Sequence, residues 1–415
     1  MKKILIVLVF LSFGSMYAGG YRVALQGQRM LGMAHAGISV FNSTESAFFN
    51  PAGLSFLDSK FSVTFGVSGI TSTVKFQNSL YNQTAQTDNK LGTPFYLYMA
   101  YKVDDKVTLG LAVYTPFGSS LKWEDGWAGS HIVNDIAMKV FYIQPSLAYK
   151  FSETFSVSGS LIMAYGNVSY NKDINRYLTD ENGNKTNAQI DSGTTGAAGY
   201  AFSAAFKPSK DVAMGISYRS SIILDAKYGT GTFNNVPVFL QNKLKTTGLS
   251  AQLPMPAELG VGVSFKPFKK MLVAVDYNYT YWDIYQELVI DFKNDLPSSV
   301  SDKSYKNTNT YRFGAEYTVN DKIKVRAGYY YDQSPLTSEH FSPETPSLDS
   351  NNYTFGIGYE MKKMTIDFSF LYVDGIERTD YTYVKGEGPS AHRFGGTYIS
   401  NAIIPGLGIT YSIDK

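Results

Sequence analysis

Few side chains in this sequence are suited to catalysis. The chain has no cysteine, which excludes disulfides and thiol chemistry, and its four histidines are His35, His131, His340 and His392. No Ser/His/Asp spacing points to a lipase or protease, and no cluster of metal-ligating residue types occurs. Residues 180–184 weakly resemble a calcium loop, but a polar turn explains them better. We therefore expect no enzymatic activity, no cofactor and no metal.

Four basic side chains are placed to meet an anion. The four residues are Arg219, Arg312, Lys324 and Arg326. Each lies in a segment where apolar and polar residues alternate, at a position that belongs to the polar face of the predicted sheet. One interpretation is that they bind the carboxylate of a ligand. The other, which we favour, is that they pair with acids on the same face, because unpaired buried charge is costly. The expected partners are Glu258, Glu316 and Asp367.

A large β-sheet is needed to position these side chains. Apolar and polar residues alternate with period two along most of the chain, and Ile366, Phe368 and Phe370 interleaved with Asp367 and Ser369 are typical. The pattern predicts fourteen antiparallel strands from about residue 60 to residue 413, the last at 403–413. One face is apolar and the other carries charge.

The connections between these strands favour a membrane barrel over a soluble sandwich or propeller. Short turns such as 104–105 and 152–153 alternate strictly with long polar loops such as 116–137 and 171–197. Short turns on one side and long loops on the other are typical of transmembrane β-barrels. The 32 Tyr and 27 Phe also suit the aromatic girdles of such a barrel. We expect an all-β, fourteen-stranded antiparallel transmembrane barrel in the outer membrane of a Gram-negative bacterium.

The chain begins with features of a secretory signal peptide, expected to be removed after residue 18. Lys2 and Lys3 form its basic region, an apolar stretch follows, and the small Ala18 precedes the cleavage point. Without the two lysines, the remaining chain has 35 basic and 35 acidic residues. This neutrality argues against a nucleic-acid partner, which would require a basic surface.

Residues 19–57 do not follow the strand pattern. They are rich in Gly, Ala, Ser and Met, and they contain an apolar group at Phe48, Phe49 and Leu54. The lumen of a fourteen-stranded barrel is too wide for its own side chains to fill. We expect this segment to fold back into the lumen as a plug, with the barrel itself formed by residues 58–415. The alternative is a flexible periplasmic tail, for which the apolar group is a poor choice.

Five motifs in chain order resemble those of the FadL-like family of outer-membrane transporters for hydrophobic compounds. The first is GQRMLGMAHAG followed by FFNPAGLS, which is similar to the family's N-terminal hatch. The others are Thr115-Pro116-Phe117-Gly118 with Trp123 and Trp127, Leu253-Pro254-Met255-Pro256, Tyr281-Trp282, and Asp332-Gln333-Ser334-Pro335. The resemblance covers the whole chain after the signal peptide.

The resemblance implies a route for fatty acids, related lipids or hydrocarbons. Ligand is captured at the extracellular loops, here at Trp123 and Trp127, and then held in a pocket of barrel wall and hatch. The hatch residues of that pocket are Phe48, Phe49, Asn50, Pro51 and Ala52. Lateral exit into membrane lipid follows where the third strand is kinked, at Pro116, Phe117 and Gly118. A monomer is expected.

The residues themselves support part of this route. Pro116 cannot donate a ladder hydrogen bond and Gly118 accepts unusual backbone angles, so we expect the ladder to break near Phe117. The alternative is an ordinary loop start. Phe48 and Phe49 are adjacent, so one is expected to face the ligand and the other the wall.

The sequence departs from the fatty-acid members of the family. Asn167 and Val289 stand where those members are expected to have basic residues. Substrate identity is therefore open between fatty acids and aromatic hydrocarbons. Two other functions are weighed beside transport: a general diffusion porin, and a surface scaffold or adhesin barrel.

Overall fold

The computed structural model describes residues 19–78, 82–383 and 393–413. The predicted signal peptide and His392 lie outside the described residues. Fourteen antiparallel strands form a closed barrel. They are β1 (Phe61–Ser68 and Thr71–Asn78), β2 (Gln83–Gln86 and Phe95–Lys102), β3 (Val107–Lys122), β4 (Asp135–Lys150), β5 (Phe155–Asp173), β6 (Asn187–Asp191 and Thr195–Phe206), β7 (Val212–Arg219 and Ile222–Asn234), β8 (Thr247–Met255 and Glu258–Phe268), β9 (Met271–Thr280 and Glu287–Phe292), β10 (Ser299–Asp302 and Thr308–Thr318), β11 (Ile323–Asp332), β12 (Ser350–Glu360), β13 (Met364–Gly375 and Arg378–Tyr383) and β14 (Arg393–Ile413).

The predicted fold class and strand number are confirmed. Each strand pairs with the next, and β14 pairs with β1 from Phe61↔Ile413 to Ser68↔Gly406, which closes the barrel. Several strands are longer than predicted on the long-loop side. The last one begins at residue 393 rather than 403, because Arg393–Tyr398 pairs with Arg378–Tyr383 above the main sheet.

The predicted alternation of faces is present in the barrel wall. In β11, Arg326 and Tyr330 are buried, whereas Ala327 between them is exposed. Large apolar side chains on the outer face stay exposed, for example Phe355, Leu407 and Ile409 at 44%, 49% and 42%. Such an outer band suits contact with lipid hydrocarbon. Within the described residues, no helix is both long enough and apolar enough to cross a membrane.

Residues 19–57, termed here the N-terminal segment, contain three short helical turns. These are α1 (Gln28–Leu31), α2 (Ser46–Phe49) and a 3-10 turn (Pro51–Phe56); further 3-10 turns occur in the loops at Val238–Leu240, Trp282–Ile284 and Ser338–His340. Most residues of the segment are buried. Gly314 of β10 is required by its close approach, since an added Cβ would lie 2.2 Å from the carbonyl oxygen of Met33.

Contacts of the N-terminal segment reach strands on every side of the barrel. The Ile38 amide donates to Asp276 of β9 at 2.9 Å, and the Ala52 amide donates to Ser203 of β6 at 3.0 Å. Gln28 lies at the junction of the first and last strands: its Nε2 donates to Ser68 of β1 at 2.9 Å, and its Oε1 accepts from Ser369 of β13. These contacts are consistent with a segment folded into the lumen.

Candidate functional site

An apolar cavity of about 110 Å³ lies on the long-loop side of the N-terminal segment. Aliphatic side chains from strands β4 to β9 form most of its lining: Ile136, Met138, Val168, Ile190, Leu224, Leu249, Leu253, Leu288 and Ile290. Asn167 also lines this cavity. Fatty-acid members of the family are expected to have a basic residue at this position, and here the side chain is a neutral amide. The cavity approaches the roughly 150 Å³ of an engineered apolar cavity that binds benzene.

One end of the apolar cavity carries two charged side chains, which neutralise each other. Lys303 Nζ lies 2.5 Å from Glu344 Oε2, and Tyr170 Oη donates to Glu344 Oε1 at 2.8 Å. Burial alone would raise the pKa of Glu344, but the Lys303 ammonium outweighs it and lowers that pKa below its usual value. The carboxylate therefore remains charged and matched to the lysine.

A second, charged cavity of about 50 Å³ lies between the N-terminal segment and the wall. It brings together residues that the sequence had placed in three separate groups: Phe48 and Phe49, Pro116 and Phe117, and Arg219 and Arg312. Arg22, His35 and Glu258 complete its charged or titratable lining. Predicted pocket, wall and charge residues thus meet at one place.

Three aromatic rings separate the two cavities. Tyr21 lines the apolar cavity, and the next residue, Arg22, lines the charged one. The Tyr21 ring packs edge-to-face on Trp282 at 4.7 Å and on Phe117 at 5.9 Å between centroids. Its hydroxyl donates to the carbonyl oxygen of Pro254 at 2.5 Å. Passage from one cavity to the other requires these rings to move.

The phenylalanine pair lies differently from the prediction that only one ring would face the cavity. Both Phe48 and Phe49 line the charged cavity, because they sit on a helical turn, where successive side chains are about 100° apart rather than opposed. Phe48 also packs on Tyr114 of β3 at 4.8 Å, and Phe49 packs on His35 at 4.5 Å.

The chain changes direction after α2, and this corner is fixed by the other three predicted hatch residues, Asn50, Pro51 and Ala52. Asn50 Nδ2 donates to the carbonyl oxygens of Ile38 at 3.0 Å and Ala204 at 2.9 Å. Pro51 starts the 3-10 turn, and the carbonyl oxygen of Ala52 accepts from Ser156 of β5 at 2.7 Å. These residues position the phenylalanines by tying the corner to β5 and β6.

The barrel wall is irregular at residues 116–118. The ladder of β3 with β2 breaks off after Tyr114↔Tyr96 and returns only at the bridge Thr87↔Trp123. The pairing of β3 with β4 shifts register between Tyr114 and Phe117. Here the backbone of β3 forms hydrogen bonds with the N-terminal segment instead. The Val23 amide donates to Pro116 O at 2.8 Å, and the Gly118 amide donates to Tyr21 O at 3.0 Å. The break expected from proline and glycine coincides with this interruption.

Two of the four lumen arginines and lysines form the expected ion pairs. Arg326 bonds to Glu316 at 2.7 Å and to Asp367 at 2.6 Å. Arg219 lies 3.8 Å from Glu258, and its guanidinium stacks over the Phe48 ring at 4.7 Å.

The remaining two differ from the expected pairing. Lys324 pairs with Glu360 at 2.5 Å, nearer the short turns and away from the cavities. Arg312 donates to Asn278 Oδ1 and to the carbonyl oxygen of Ala34, both at 3.1 Å. It is therefore held by neutral acceptors beside the charged cavity.

Trp123 and Trp127 lie in the core of the loop region. Their rings stack at 4.3 Å, and they are 1% and 4% exposed. Phe76, Phe394 and Tyr398 pack around them. In this conformation the indoles support the loops, and their role in ligand capture stays a prediction.

Three residues at the site were not predicted from the sequence: Tyr21, Lys303 and Glu344. Tyr21 precedes the recognised hatch motif by several residues, and the ion pair of Lys303 and Glu344 joins two loops. Trp282 had a signal, since Tyr281-Trp282 was one of the matching motifs. Among the described residues, no group of three or more His, Cys, Asp or Glu side chains could hold a metal ion.

Comparison with known proteins agrees with this architecture. Outer membrane protein P1 of Haemophilus influenzae is 20% identical over 90% of both chains, and a long-chain fatty acid transport protein of Escherichia coli is 20% identical over 95% of this chain and 94% of its own. A crystal structure of a Pseudomonas aeruginosa FadL homologue superposes with TM-score 0.82 at 19% identity, covering 95% of this chain and all of the other. The toluene transporter TodX of P. putida gives TM-score 0.73 at 15% identity, over 96% and 100%.

The family assignment rests on a match to almost the entire chain. The sequence model described as outer membrane protein transport protein (OMPP1/FadL/TodX) matches residues 9–413. The closed barrel, the outer apolar band and the alternating loops agree with an outer-membrane location. The chain belongs to the OMPP1/FadL/TodX family of outer-membrane transport proteins.

Proposed function

We propose that this protein imports hydrophobic small molecules through the outer membrane. Ligand passes from the loops into the apolar cavity, past the aromatic rings into the charged cavity, and out through the wall beside β3. The observation that carries this proposal is the contact of the charged cavity with Pro116 and Phe117, where β3 has left its ladder with β2. An apolar ligand gains about 0.8 kcal/mol for each methylene moved from water into hydrocarbon, which favours direct release into lipid.

Residues 19–57 act in this proposal as a hatch that blocks the aqueous lumen. Support comes from their burial and from hydrogen bonds to β1, β6 and β9. A general porin would leave its lumen open to water and ions. We propose the same boundaries as the sequence suggested, with the barrel following from residue 58.

Initial capture is assigned to the loop surface that Trp123 and Trp127 support. Trp123 Nε1 donates to the carbonyl oxygen of Pro343, which immediately precedes Glu344 at the polar end of the apolar cavity. A change in the packing of the indoles would therefore displace Pro343 and, with it, the adjacent Glu344 in the cavity lining. In this proposal, ligand capture at the loops is coupled in this way to the apolar cavity.

Two substrate classes suit different parts of the route. The apolar cavity fits a small hydrocarbon, in keeping with the toluene transporter among the similar structures. A fatty acid, the substrate named for one relative, would bring a carboxylate that suits Arg219 and Arg312 in the charged cavity. Competition between toluene and a long-chain fatty acid for uptake identifies the preferred class.

The proposal is tested by uptake and conductance together. Cells that make the protein should accumulate radiolabelled toluene or fatty acid faster than cells that lack it. In planar bilayers, the full chain should conduct ions poorly, and deletion of residues 19–57 should raise the conductance. A large, steady conductance of the full chain would identify a porin, and unchanged conductance after the deletion would count against the hatch. Heat-dependent mobility in gels checks that each variant forms a barrel.

A further inference from the structure

The ladder between β6 and β7 is interrupted beside the apolar cavity. The two strands pair from Met214↔Phe206 to Arg219↔Ala201, and again from Thr230↔Asp191 to Asn234↔Asn187. Between these stretches, residues 192–200 and 220–229, all of them described, form no paired ladder. We call this interval the β6–β7 seam.

Few hydrogen bonds cross the seam. At its lower end, the Ser220 amide donates to Tyr200 O at 2.9 Å, and the Tyr200 amide donates to Ser220 Oγ at 3.0 Å. In its middle, Thr195 Oγ1 donates to Asp225 O at 2.8 Å. The outer edges remain paired, since β6 continues along β5 to Thr195↔Gly166 and β7 pairs with β8 at Ile222↔Met255. Both strands therefore keep their other neighbours on either side of the interruption, so the seam is not a frayed strand end.

The seam separates the apolar cavity from the outer surface of the barrel. Ser192 and Thr195 of β6 and Leu224 and Ala226 of β7 all line the cavity. On the opposite face, Tyr200 and Ile223 beside the seam are each 47% exposed. An exposed tyrosine and isoleucine at this height suit the boundary between lipid hydrocarbon and headgroups. The seam thus borders the apolar cavity on its inner side. Its outer side is apolar at the lower end, and above it Lys227 and Asp225 form an exposed ion pair at 3.4 Å, which suits the level of the lipid headgroups.

Unpaired backbone at membrane depth is tolerated only where it borders protein or a cavity. Opening the seam breaks few hydrogen bonds, whereas opening an intact ladder breaks one for each pair of backbone groups. We propose that the β6–β7 seam is a second lateral port, which connects the apolar cavity directly with the outer leaflet. The port takes compact, uncharged hydrocarbons, because its lining of Ser192, Thr195, Leu224 and Ala226 carries no charge and the nearby lysine is already paired with Glu344.

This port rests on the proposed transport function but differs from the exit beside β3. A ligand using the seam does not pass the rings of Tyr21, Phe117 and Trp282 and does not enter the charged cavity. Charged amphiphiles would keep to the route through Arg219. The two ports would sort ligands by the presence of a charged head.

Engineered cysteines test the port, since the natural chain contains none. Thr195 of β6 and Ala226 of β7 lie on opposite sides of the seam and both line the cavity, so Thr195→Cys with Ala226→Cys is designed to staple the seam. The matched control is Ser169→Cys with Asp191→Cys, which joins residues already paired between β5 and β6. The probe is an alkyl diazirine hydrocarbon dissolved in the bilayer of proteoliposomes, photolysed and mapped by mass spectrometry.

The unstapled protein should be labelled at Met138 and Leu249, which line the cavity on β4 and β8. Oxidation of the seam staple should remove most of this labelling, reduction should restore it, and the control staple should leave it unchanged. Equal labelling of the stapled and reduced seam would overturn the port. A parallel experiment supplies the same probe from the water phase on the long-loop side. If the cavity is then labelled in no variant, the proposed transport function is overturned instead.

A second pair of variants covers the case in which the staple does not form. Ala197 is partly buried against the core cluster that includes Leu224, whereas its neighbour Ala198 is exposed on the outer face. Ala197→Trp should obstruct the seam and reduce labelling, and Ala198→Trp should not. Equal labelling of both tryptophan variants would also overturn the port.

Discussion

The N-terminal segment meets the barrel wall in two contrasting ways. Toward β10, β11 and β13 it is anchored by buried charge: Arg29 Nη2 lies 2.9 Å from Glu316, and Glu316 also accepts from Arg326 at 2.7 Å. Arg326 in turn bonds to Asp367. Breaking such a network leaves an uncompensated charge in a buried site, at a cost of about 3–5 kcal/mol.

Toward β3 the same segment is held by neutral groups. Two backbone hydrogen bonds link Tyr21 and Val23 to residues 116–118, and aromatic rings pack around them. Each such bond contributes only about 0.5–1.5 kcal/mol, and its loss exposes no charge. Arg22, between Tyr21 and Val23, is ion-paired with Glu258 of β8 and Asp332 of β11 rather than with β3. We therefore expect the contacts of the segment with β3 to break before its charged contacts with the opposite wall.

The largest expected effect comes from breaking the charged anchor. Glu316→Gln leaves Arg29 without its carboxylate partner and should destabilise docking of the segment by about 3–5 kcal/mol. Protease cleavage within residues 19–57 measures the release. Glu360→Gln is the matched control, because its ion pair with Lys324 is partly exposed and worth about 0–1 kcal/mol. If the two variants resisted protease equally, the buried charge network at Glu316 would not be what anchors the segment.

A smaller effect is expected at the corner after α2. Asn50→Ala removes two hydrogen bonds and leaves the carbonyl oxygens of Ile38 and Ala204 without this donor, at a cost of about 1–3 kcal/mol. The phenylalanine rings then lose their fixed position, so uptake of a hydrophobic substrate should fall while the barrel still assembles. Normal uptake by a folded variant would show that this corner has only a structural role.

Weakening the neutral side should cost less still. Val23→Pro removes the amide that donates to Pro116, a loss of about 0.5–1.5 kcal/mol, whereas Val23→Ala keeps it. We expect brief conductance openings in bilayers with the proline variant and not with the alanine variant. If the Val23→Pro variant conducted as much as the protein that lacks residues 19–57, the contacts with β3 would also be an anchor of the segment.

The smallest effect concerns pH and the loop core. Burial, followed by the positive charges of Arg176 and Lys172, lowers the pKa of His131 to about 4 from 6.5. The unpacked loop therefore binds a proton at higher pH than the packed loop does. Loop packing should be most stable above pH 6.5 and weaken as pH falls toward 4. Fluorescence of Trp123 and Trp127 in a Trp282→Phe background should show this change, and His131→Gln should abolish it.

Local pattern was sufficient to predict the barrel wall, but it did not predict which residues contact one another inside the wall. Alternation of apolar and polar residues requires only near neighbours, so the number of strands and their facing directions followed from it. The position of the wall break also followed, because Pro116 lacks an amide hydrogen. Its partner did not follow, since pairing with Tyr21 and Val23 depends on a segment almost a hundred residues away.

The cavities depend on contacts of this long-range kind. The apolar cavity combines Tyr21 with Leu224 and Glu344, and no spacing in the sequence relates them. The start of β14 was missed for a similar reason, because residues 393–398 are strand by pairing with β13 and, at Thr397 and Tyr398, with β1. The same distant stretch contributes to the burial of the two indoles, since Tyr398 packs on Trp123 and Phe394 packs on Trp127.

The position of Gln28 has a consequence for the order of assembly. Its side chain bonds to Ser68 of β1 and Ser369 of β13, and an added Cβ on Gly406 of β14 would lie 2.1 Å from its Oε1. Once the first and last strands join, a ring of backbone hydrogen bonds encloses this side chain. We therefore expect the N-terminal segment to be in place before or during closure, so that Gln28 forms part of the surface on which β1 and β14 meet.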